Sequence, residues 1–147
     1  MIALGSDHLQ DKELVLELIE LGTHPIHKVP TYFFCMRHSV SGEEMGRINL
    51  RVASSAHIER YAGHVGYSVE EAYRGNRYAS RALRLLMQLA RRLDVSELWI
   101  TCDPENVASR RTCELAGAVL VEIVDVPENC IIHRSGHTRK CRFLLTT

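Results

Sequence analysis

Apolar and polar residues recur along the chain with two different periods, which predict helices and strands in an interleaved order. Apolar residues have helical spacing in two segments, residues 7–22 and 78–93. Shorter runs rich in β-branched and aromatic residues predict strands at residues 31–37, 45–52, 64–69 and 97–102, with more strand-rich sequence at 118–126 and 131–145. We therefore expect an α/β (α+β) fold and a single domain over residues 1–147.

Capping residues predict where the helices begin and end. Asp7 caps the first helix and Gly22 ends it, while Asp103 and Pro104 begin the helix that Gly117 ends. Loops are predicted at residues 23–30, 38–44 and 53–62, and the second of these joins a β-hairpin. The order strand, helix, strand, helix over residues 64–117 predicts a right-handed crossover with parallel pairing of its two strands.

The overall charge excludes some classes of partner. Lys+Arg and Asp+Glu number 18 each, so nothing in the balance favours a nucleic-acid or an anionic membrane partner. The chain has no run of eighteen apolar residues and no charged leader before an apolar segment, and we expect a cytoplasmic protein. Five cysteines, an odd number without a C-x-x-C pair, are typical of reduced thiols.

Arginines are concentrated around one predicted helix. Fifteen arginines accompany three lysines, and eight of the arginines lie within residues 74–111. Arg74, Arg77 and Arg81 surround the start of the helix at 78–93, where unpaired backbone N–H groups and the helix dipole favour an anion. The alternative is a solvated arginine face without a ligand.

Two motifs in this region carry a family resemblance. Arg74-Gly75-Asn76-Arg77-Tyr78-Ala79 resembles the R-x-x-G-x-A signature with which acetyltransferases of the GNAT (Gcn5-related N-acetyltransferase) superfamily hold the pyrophosphate of acetyl-CoA. Asn106-x-x-Ser109, followed by Gly117, resembles the helix that closes over the pantetheine arm. The resemblance implies a GNAT fold: a mixed central β-sheet with a V-shaped splay between its central strands, flanked by helices, here with a shortened N-terminus.

The same resemblance implies acetyl-CoA as co-substrate and a set of residues that bind it. These are Tyr67, Ser68, Val69, Arg74, Gly75, Asn76, Arg77, Tyr78, Ala79, Ser80, Asn106 and Ser109. This sequence departs from the family pattern at Arg77, which replaces the central glycine, and at Cys113, which stands where many members carry a tyrosine that protonates the leaving thiolate.

Transfer of an acetyl group to an amine also needs catalytic groups. An amine attacks only when neutral, so a base near pKa 6.5 is useful, and His64 is the first candidate; the alternative is a histidine held by backbone hydrogen bonds. Glu59 and Glu70 are weaker candidates. The resemblance places an oxyanion donor at a bulge within Tyr67 to Val69. Cys113 is a weak acid candidate, or simply a small apolar residue in the core.

Metal sites are not expected. Cys130, His133, His137 and Cys141 have a zinc-like spacing, but a two-residue hairpin turn at Ser135-Gly136 would pair Cys130 with Cys141 and separate the ligands. His24 and His27 read as solvated loop residues rather than ligands.

The expected function is therefore an acetyl-CoA-dependent N-acetyltransferase acting on a small-molecule or peptide amine by direct attack. The alternative is a non-catalytic module that binds CoA or another phosphorylated ligand. We expect no nucleic acid, membrane or metal partner, and a homodimer is one option, through an exposed sheet edge near residues 139–145.

Overall fold

The structure of the protein, a computed structural model, describes residues 9–146. The strands in this part of the chain are β1 (Gln10–Asp11), β2 (Leu14–Thr23), β3 (Pro30–His38), β4 (Glu44–Arg51), β5 (Val65–Val69), β6 (Glu97–Cys102), β7 (Val119–Asp125) and β8 (Arg139–Thr146). The helices are α1 (Tyr78–Arg92), α2 (Val107–Leu115) and a single turn, α3 (Ile131–Arg134). A π-helical turn at Ile58–Ala62 and a 3₁₀ turn at Glu71–Tyr73 lie in the connections.

Five strands form the first sheet in the order β1-β2-β3-β4-β5, and each neighbouring pair is antiparallel. The predicted hairpin is confirmed as β3 and β4. Along β4, Ile48 and Leu50 are buried in the core. Because side chains alternate along a strand, Arg47, Asn49 and Arg51 share the opposite face of the sheet.

The helix predicted over residues 7–22 is wrong, because residues 14–23 form β2. Asp7, the predicted cap, lies outside the described residues. All of β2 except Ile19 pairs with β3, and Leu14 and Leu16, two positions apart, are its buried residues. The spacing of apolar residues in this segment fits a helix as well as a strand, and pairing with β3 determines that it forms a strand. Residues 9–29 therefore contain no helix.

The second predicted helix is confirmed as α1, which packs against the first sheet and α2. Leu83, Leu86 and Leu89 are fully buried, and burial of each such side chain stabilises the fold by about 2 kcal/mol. The same hydrophobic cluster includes Ile100 of β6 and Phe143 of β8. One core therefore connects the first sheet to the second.

The second sheet consists of β6, β8 and β7 in that order, again with antiparallel pairs. The strands at 64–69 and 97–102 were expected to pair in parallel, but within residues 9–146 no ladder of hydrogen bonds joins β5 to β6. The two sheets therefore separate between β5 and β6, which is the expected splay.

His64, immediately before β5, joins the two sheets where they come together. Its backbone N–H donates to the carbonyl of Trp99 at 2.7 Å, and its ring Nδ1 accepts the N–H of Trp99 at 2.9 Å. Its carbonyl accepts the N–H of Arg51 at 2.7 Å. Because Nδ1 is an acceptor, the proton is on Nε2, which lies 2.7 Å from Ser54 Oγ. His64 thus connects β4, β5 and β6 through its backbone and its neutral ring.

Two connections differ from the predictions. Residues 58–62, expected as loop, form the π-helical turn, and residues 131–134, expected as strand, form α3. β8 begins only at Arg139 and pairs Cys141 with Ile123 on one side and Cys102 on the other. Cys130 therefore does not face Cys141, and the hairpin register used to argue against a zinc site is wrong.

The backbone of Arg77, immediately before α1, is left-handed, with φ 61° and ψ 24°. A non-glycine residue in this conformation is strained by roughly 1 kcal/mol, because its Cβ approaches the carbonyl oxygen that follows it. The central glycine of the family signature is therefore the less strained choice at this position.

Arg77→Gly should accordingly increase the free energy of unfolding by about 1 kcal/mol relative to Arg77→Ala. Both variants lose the charge, but only glycine relieves the strain. Urea denaturation at pH 7 measures the difference, and equal stability of the two variants would contradict the strain.

His64 should make the stability depend on pH. Burial lowers the pKa of His64, so the unfolded chain takes up a proton at a higher pH than the folded protein does. Its contribution is complete above about pH 6.5 and decreases as pH falls below that value, by up to about 1.4 kcal/mol per pH unit for this one proton. Urea denaturation at pH 7, 6 and 5 should give a smaller pH slope for His64→Gln than for the wild type. Parallel curves for the two proteins would rule this out.

Candidate functional site

A cleft of about 820 Å³ opens where β5 and β6 separate. β5 forms one wall, β6 and α2 form the other, and the start of α1 lies at one end. Of the residues predicted to bind cofactor, those that line the cleft are Tyr67, Ser68, Val69, Arg74, Gly75, Arg77, Tyr78, Ala79, Ser80, Asn106 and Ser109. Asn76 is not among them; its side-chain amide donates to the carbonyl of Tyr73 at 3.0 Å and so fixes the turn.

The start of α1 presents backbone donors to the cleft. Its first N–H groups have no partner inside the helix, and the side chain of Arg77, the N-cap residue, does not accept hydrogen bonds from them. Gly75 has φ +86°, a left-handed conformation that glycine adopts without strain, and nothing lies within 4 Å of where its Cβ would be. The turn is therefore open beside the positive end of the helix dipole.

Two of the three predicted guanidinium groups are available at this end. Arg74 and Arg77 line the cleft. Arg81 instead pairs with Asp11 and Glu13, each at 2.7 Å, and the hydrogen bond from Arg81 is the largest cause that lowers the pKa of Glu13 to about 2. Acidic residues of the β1–β2 segment therefore neutralise Arg81, so its guanidinium is not free to bind a ligand.

The hydroxyl of Tyr67 connects the two walls of the cleft, β5 and α2. Tyr67 of β5 and Ser109 of α2 have their hydroxyl oxygens 2.5 Å apart. Burial raises the pKa of Tyr67, so the phenol keeps its proton. Asn106 positions Ser109, since its side-chain oxygen accepts the N–H of Ser109 at 3.1 Å. This contact holds the two sides of the cleft at a fixed distance.

Asn106, rather than the predicted Asp103, is the N-cap of α2. The carboxylate of Asp103 is instead 3.0 Å from Lys140 Nζ and 2.6 Å from His137 Nδ1. Because these partners come from β8 and the segment before it, local capping rules did not predict them.

The β-bulge that the resemblance implies at Tyr67 to Val69 is not present. β4 and β5 pair in an unbroken register from Gly46↔Val69 to Leu50↔Val65. The other edge of β5 still has no partner strand within residues 9–146, because β6 diverges from it. Free N–H groups on this edge of β5 would therefore come from the separation of β5 and β6 and not from a bulge.

Neither predicted catalytic residue lines the cleft. His64 is only 5% exposed, and its two ring nitrogens are engaged by Trp99 and Ser54. Cys113 is fully buried, and burial raises the pKa of its thiol to about 12. The placement of both residues favours structural roles.

Many of the residues that line the cleft were not predicted from the sequence. They are Arg51, Ala62, Val65, Gly66, Tyr73, Thr101, Cys102, Asp103, Ala108, Arg111, Thr112, Leu115, His137 and Lys140. Arg51 is the most unusual, because it is a charged residue 7% exposed at the end of a core strand. In the sequence Arg51 occupies an ordinary polar position in the alternation of β4, so no signal there singled it out.

Over residues 9–146, His, Cys, Asp and Glu side chains form no group of three or more suited to a metal ion. None of the helices in that range is both long and apolar enough to cross a bilayer.

Solved structures share this fold at low sequence identity. A GNAT-family acetyltransferase from Bacillus anthracis is 19% identical with a TM-score of 0.63, over 78% of this chain and 65% of that chain. A putative ribosomal-protein-serine acetyltransferase from Vibrio cholerae is 22% identical with a TM-score of 0.61, over 80% and 64%. RimL, a ribosomal L7/L12 α-N-protein acetyltransferase in complex with coenzyme A, is 18% identical with a TM-score of 0.62, over 79% and 62%.

This chain therefore spans less than two thirds of the length of these structures. No curated protein matches it. The sequence model of the acetyltransferase (GNAT) domain, however, matches residues 10–119, which include β5, the turn before α1 and α2. The chain belongs to the GNAT acetyltransferase family.

Proposed function

We propose that the protein is an acetyl-CoA-dependent N-acetyltransferase that transfers the acetyl group to a primary amine by direct attack. The observation that carries the proposal is the cleft between β5 and β6, which has unpaired helix donors and two arginines at one end. This end suits a polyanion, and the elongated remainder suits a thioester arm. Family membership supports the same co-substrate.

The residues that would hold acetyl-CoA divide between the two walls. Arg74, Arg77 and the first N–H groups of α1 would bind its pyrophosphate, and Asn106 and Ser109 would lie along its pantetheine arm. Arg74 is held in place from its Nε, which donates to the carbonyl of Val69 at 3.1 Å, so its other nitrogens can face the ligand. The phosphate end of the cleft is then the Val69 end, and the acetyl end lies towards Gly66.

Attack requires a neutral amine and a leaving thiolate. Among the described residues that line the cleft, no histidine or carboxylate is both free of partners and near the acetyl end. We therefore assign deprotonation of the amine to solvent water. The departing thiol has a pKa near 8.5 and can leave as the anion. Tyr67 is a protonated phenol in the cleft, and its hydroxyl lies 2.5 Å from Ser109 Oγ, where either atom can be the donor. We propose that Ser109 Oγ donates to the Tyr67 hydroxyl, which in turn donates a hydrogen bond to the developing thiolate in place of Cys113.

The acceptor is an amine on a small molecule or a peptide. RimL is described as acting on ribosomal L7/L12 and another structural neighbour as a microcin C7 self-immunity acetyltransferase, so neighbours with this fold differ in acceptor. Their names support an amine acceptor here without choosing between the two classes. A cytoplasmic location agrees with both.

A second candidate is a module that binds CoA without turnover. The observation in its favour is that His64 and Cys113, the two predicted catalytic residues, are buried outside the cleft. Binding and turnover therefore need separate measurements.

Calorimetric titration should detect acetyl-CoA binding, with ATP and NAD as controls for a general phosphate site. Arg74→Ala should weaken acetyl-CoA binding about tenfold, because it removes a charge-assisted hydrogen bond to phosphate. Arg91→Ala, at the other end of α1, is the matched control and should bind as the wild type does. No binding by the wild type would refute both candidates.

Release of free CoA thiol, measured with a panel of amines, separates the enzyme from the binding module. In the enzyme, Tyr67→Phe should lower kcat by about 10²-fold, since the phenol acts on the leaving group, whereas a change in the KM for acetyl-CoA would report the lost contact with Ser109. Tyr61→Phe, outside the cleft, is the control. Thiol release that is absent from the wild type with every amine would favour the module, and an unchanged kcat in Tyr67→Phe would exclude Tyr67 from the reaction.

A further inference from the structure

Arg51 carries a buried positive charge that no described residue balances. It lies at the end of β4, is 7% exposed and lines the cleft. Its Nη1 donates to the carbonyls of Ala62 and Gly63 at 2.9 and 2.7 Å. No carboxylate among residues 9–146 forms an ion pair with it. Burial lowers its pKa to about 10, so the guanidinium is still charged at pH 7.

Several hydrogen-bonding atoms around this charge have no partner. Arg51 Nε and Asn49 Oδ1 are buried without a hydrogen bond in the described part of the chain. Arg51 Nη2 and Asn49 Nδ2 lie 2.9 and 3.0 Å from the point where a Cβ of Gly66 would be. Because glycine has no side chain, Arg51 Nη2 and Asn49 Nδ2 pack closely against Gly66 at the edge of the cleft. Within the described residues, the side chain of Arg51 makes its hydrogen bonds through Nη1 alone, so a ligand with acceptor oxygens that pairs with its remaining donors is favoured.

The surroundings of Arg51 add no second positive charge. His24, His27 and His57 lie beside it, and burial followed by the charge of Arg51 lowers the pKa of each, that of His27 to about 4. They are neutral near pH 7. Lys140, across the cleft, is already paired with Asp103. The site therefore offers a single positive charge, which matches a monoanion better than a phosphate dianion.

The position of the site relates it to the reaction. Gly66 precedes Val69 on β5, so Arg51 lies away from the phosphate end and close to the acetyl end of the cleft. We propose, on the basis of the proposed function, that Arg51 binds the carboxylate of the acceptor. The acceptor class is then an amino acid or a related small amine that carries a carboxylate next to the reacting nitrogen, rather than a neutral peptide N-terminus.

Calorimetry with matched ligand pairs tests this. The probes are alanine, methionine and phenylalanine, each compared with its carboxamide, titrated into the protein with and without saturating CoA. At least one acid should bind about tenfold or more tightly than its amide, because only the acid supplies a charged acceptor to Arg51. The titrations without CoA test the carboxylate site even if CoA does not bind, and the CoA titration alone reports on the proposed function.

Variants then test whether Arg51 causes the preference for the acid over its amide. Arg51→Gln should abolish this preference, and Gly66→Ala should reduce it while keeping the charge of Arg51, because the added methyl group would lie 2.9 Å from Arg51 Nη2 and displace that guanidinium. Arg47→Gln is the matched control: Arg47 lies on the same face of β4, is paired with Glu44 and does not line the cleft. Circular dichroism establishes that each variant is folded, and Gly66→Ala provides the test if Arg51→Gln is not.

Three results would overturn the proposal. Equal binding of every acid and its amide would mean that Arg51 only anchors the carbonyls of Ala62 and Gly63. The same preference in the wild type, Arg51→Gln and Gly66→Ala would place the carboxylate elsewhere. Inorganic phosphate that binds more tightly than any of the amino acids would identify a phosphorylated ligand instead.

Discussion

The fold depends on a junction where two antiparallel sheets meet and then separate. His64 makes this junction with both its backbone and its ring, and it uses Trp99 of β6 and Arg51 of β4 as partners. Beyond it, β5 and β6 form no ladder, so the space between them is the cleft. A strand that paired continuously with β6 would fill that space with hydrogen bonds. The cleft exists because His64, just before β5, is hydrogen-bonded to β6, whereas β5 itself forms no ladder with β6.

Local sequence patterns predicted the elements that depend on local interactions. α1, the β3–β4 hairpin and the turn around Gly75 follow from apolar spacing and turn residues, and the resemblance added the splay. The pattern failed at β2, because Leu14, Val15, Leu18 and Ile19 fit a helix as well as a strand, and the partner β3 made the choice. It also placed the cap of α2 at Asp103, whose partners Lys140 and His137 are more than thirty residues away.

The functional residues divide in the same way. Most residues predicted for the co-substrate lie between Tyr67 and Ser80, Asn106 and Ser109 lie at the start of α2, and all of them except Asn76 line the cleft. Arg51 could not be predicted, because its importance comes from what it lacks: a carboxylate partner, which a sequence does not reveal. Arg81 shows the opposite case, since it looked available in sequence and is neutralised by Asp11 and Glu13. Arg51 and Arg81 thus differ in availability because of neighbours that are distant in the sequence.

Arg77 links the strain of the fold to the proposed chemistry. Its left-handed backbone costs roughly 1 kcal/mol, which glycine would avoid. A hydrogen bond to a charged group contributes about 1.5 to 3 kcal/mol, so one contact between Arg77 and a phosphate would offset the strain. Because Arg81 is already paired, Arg77 also restores a second cation to the phosphate end of the cleft. Arg77, which is strained in the turn, thus compensates for Arg81, whose charge is neutralised by Asp11 and Glu13.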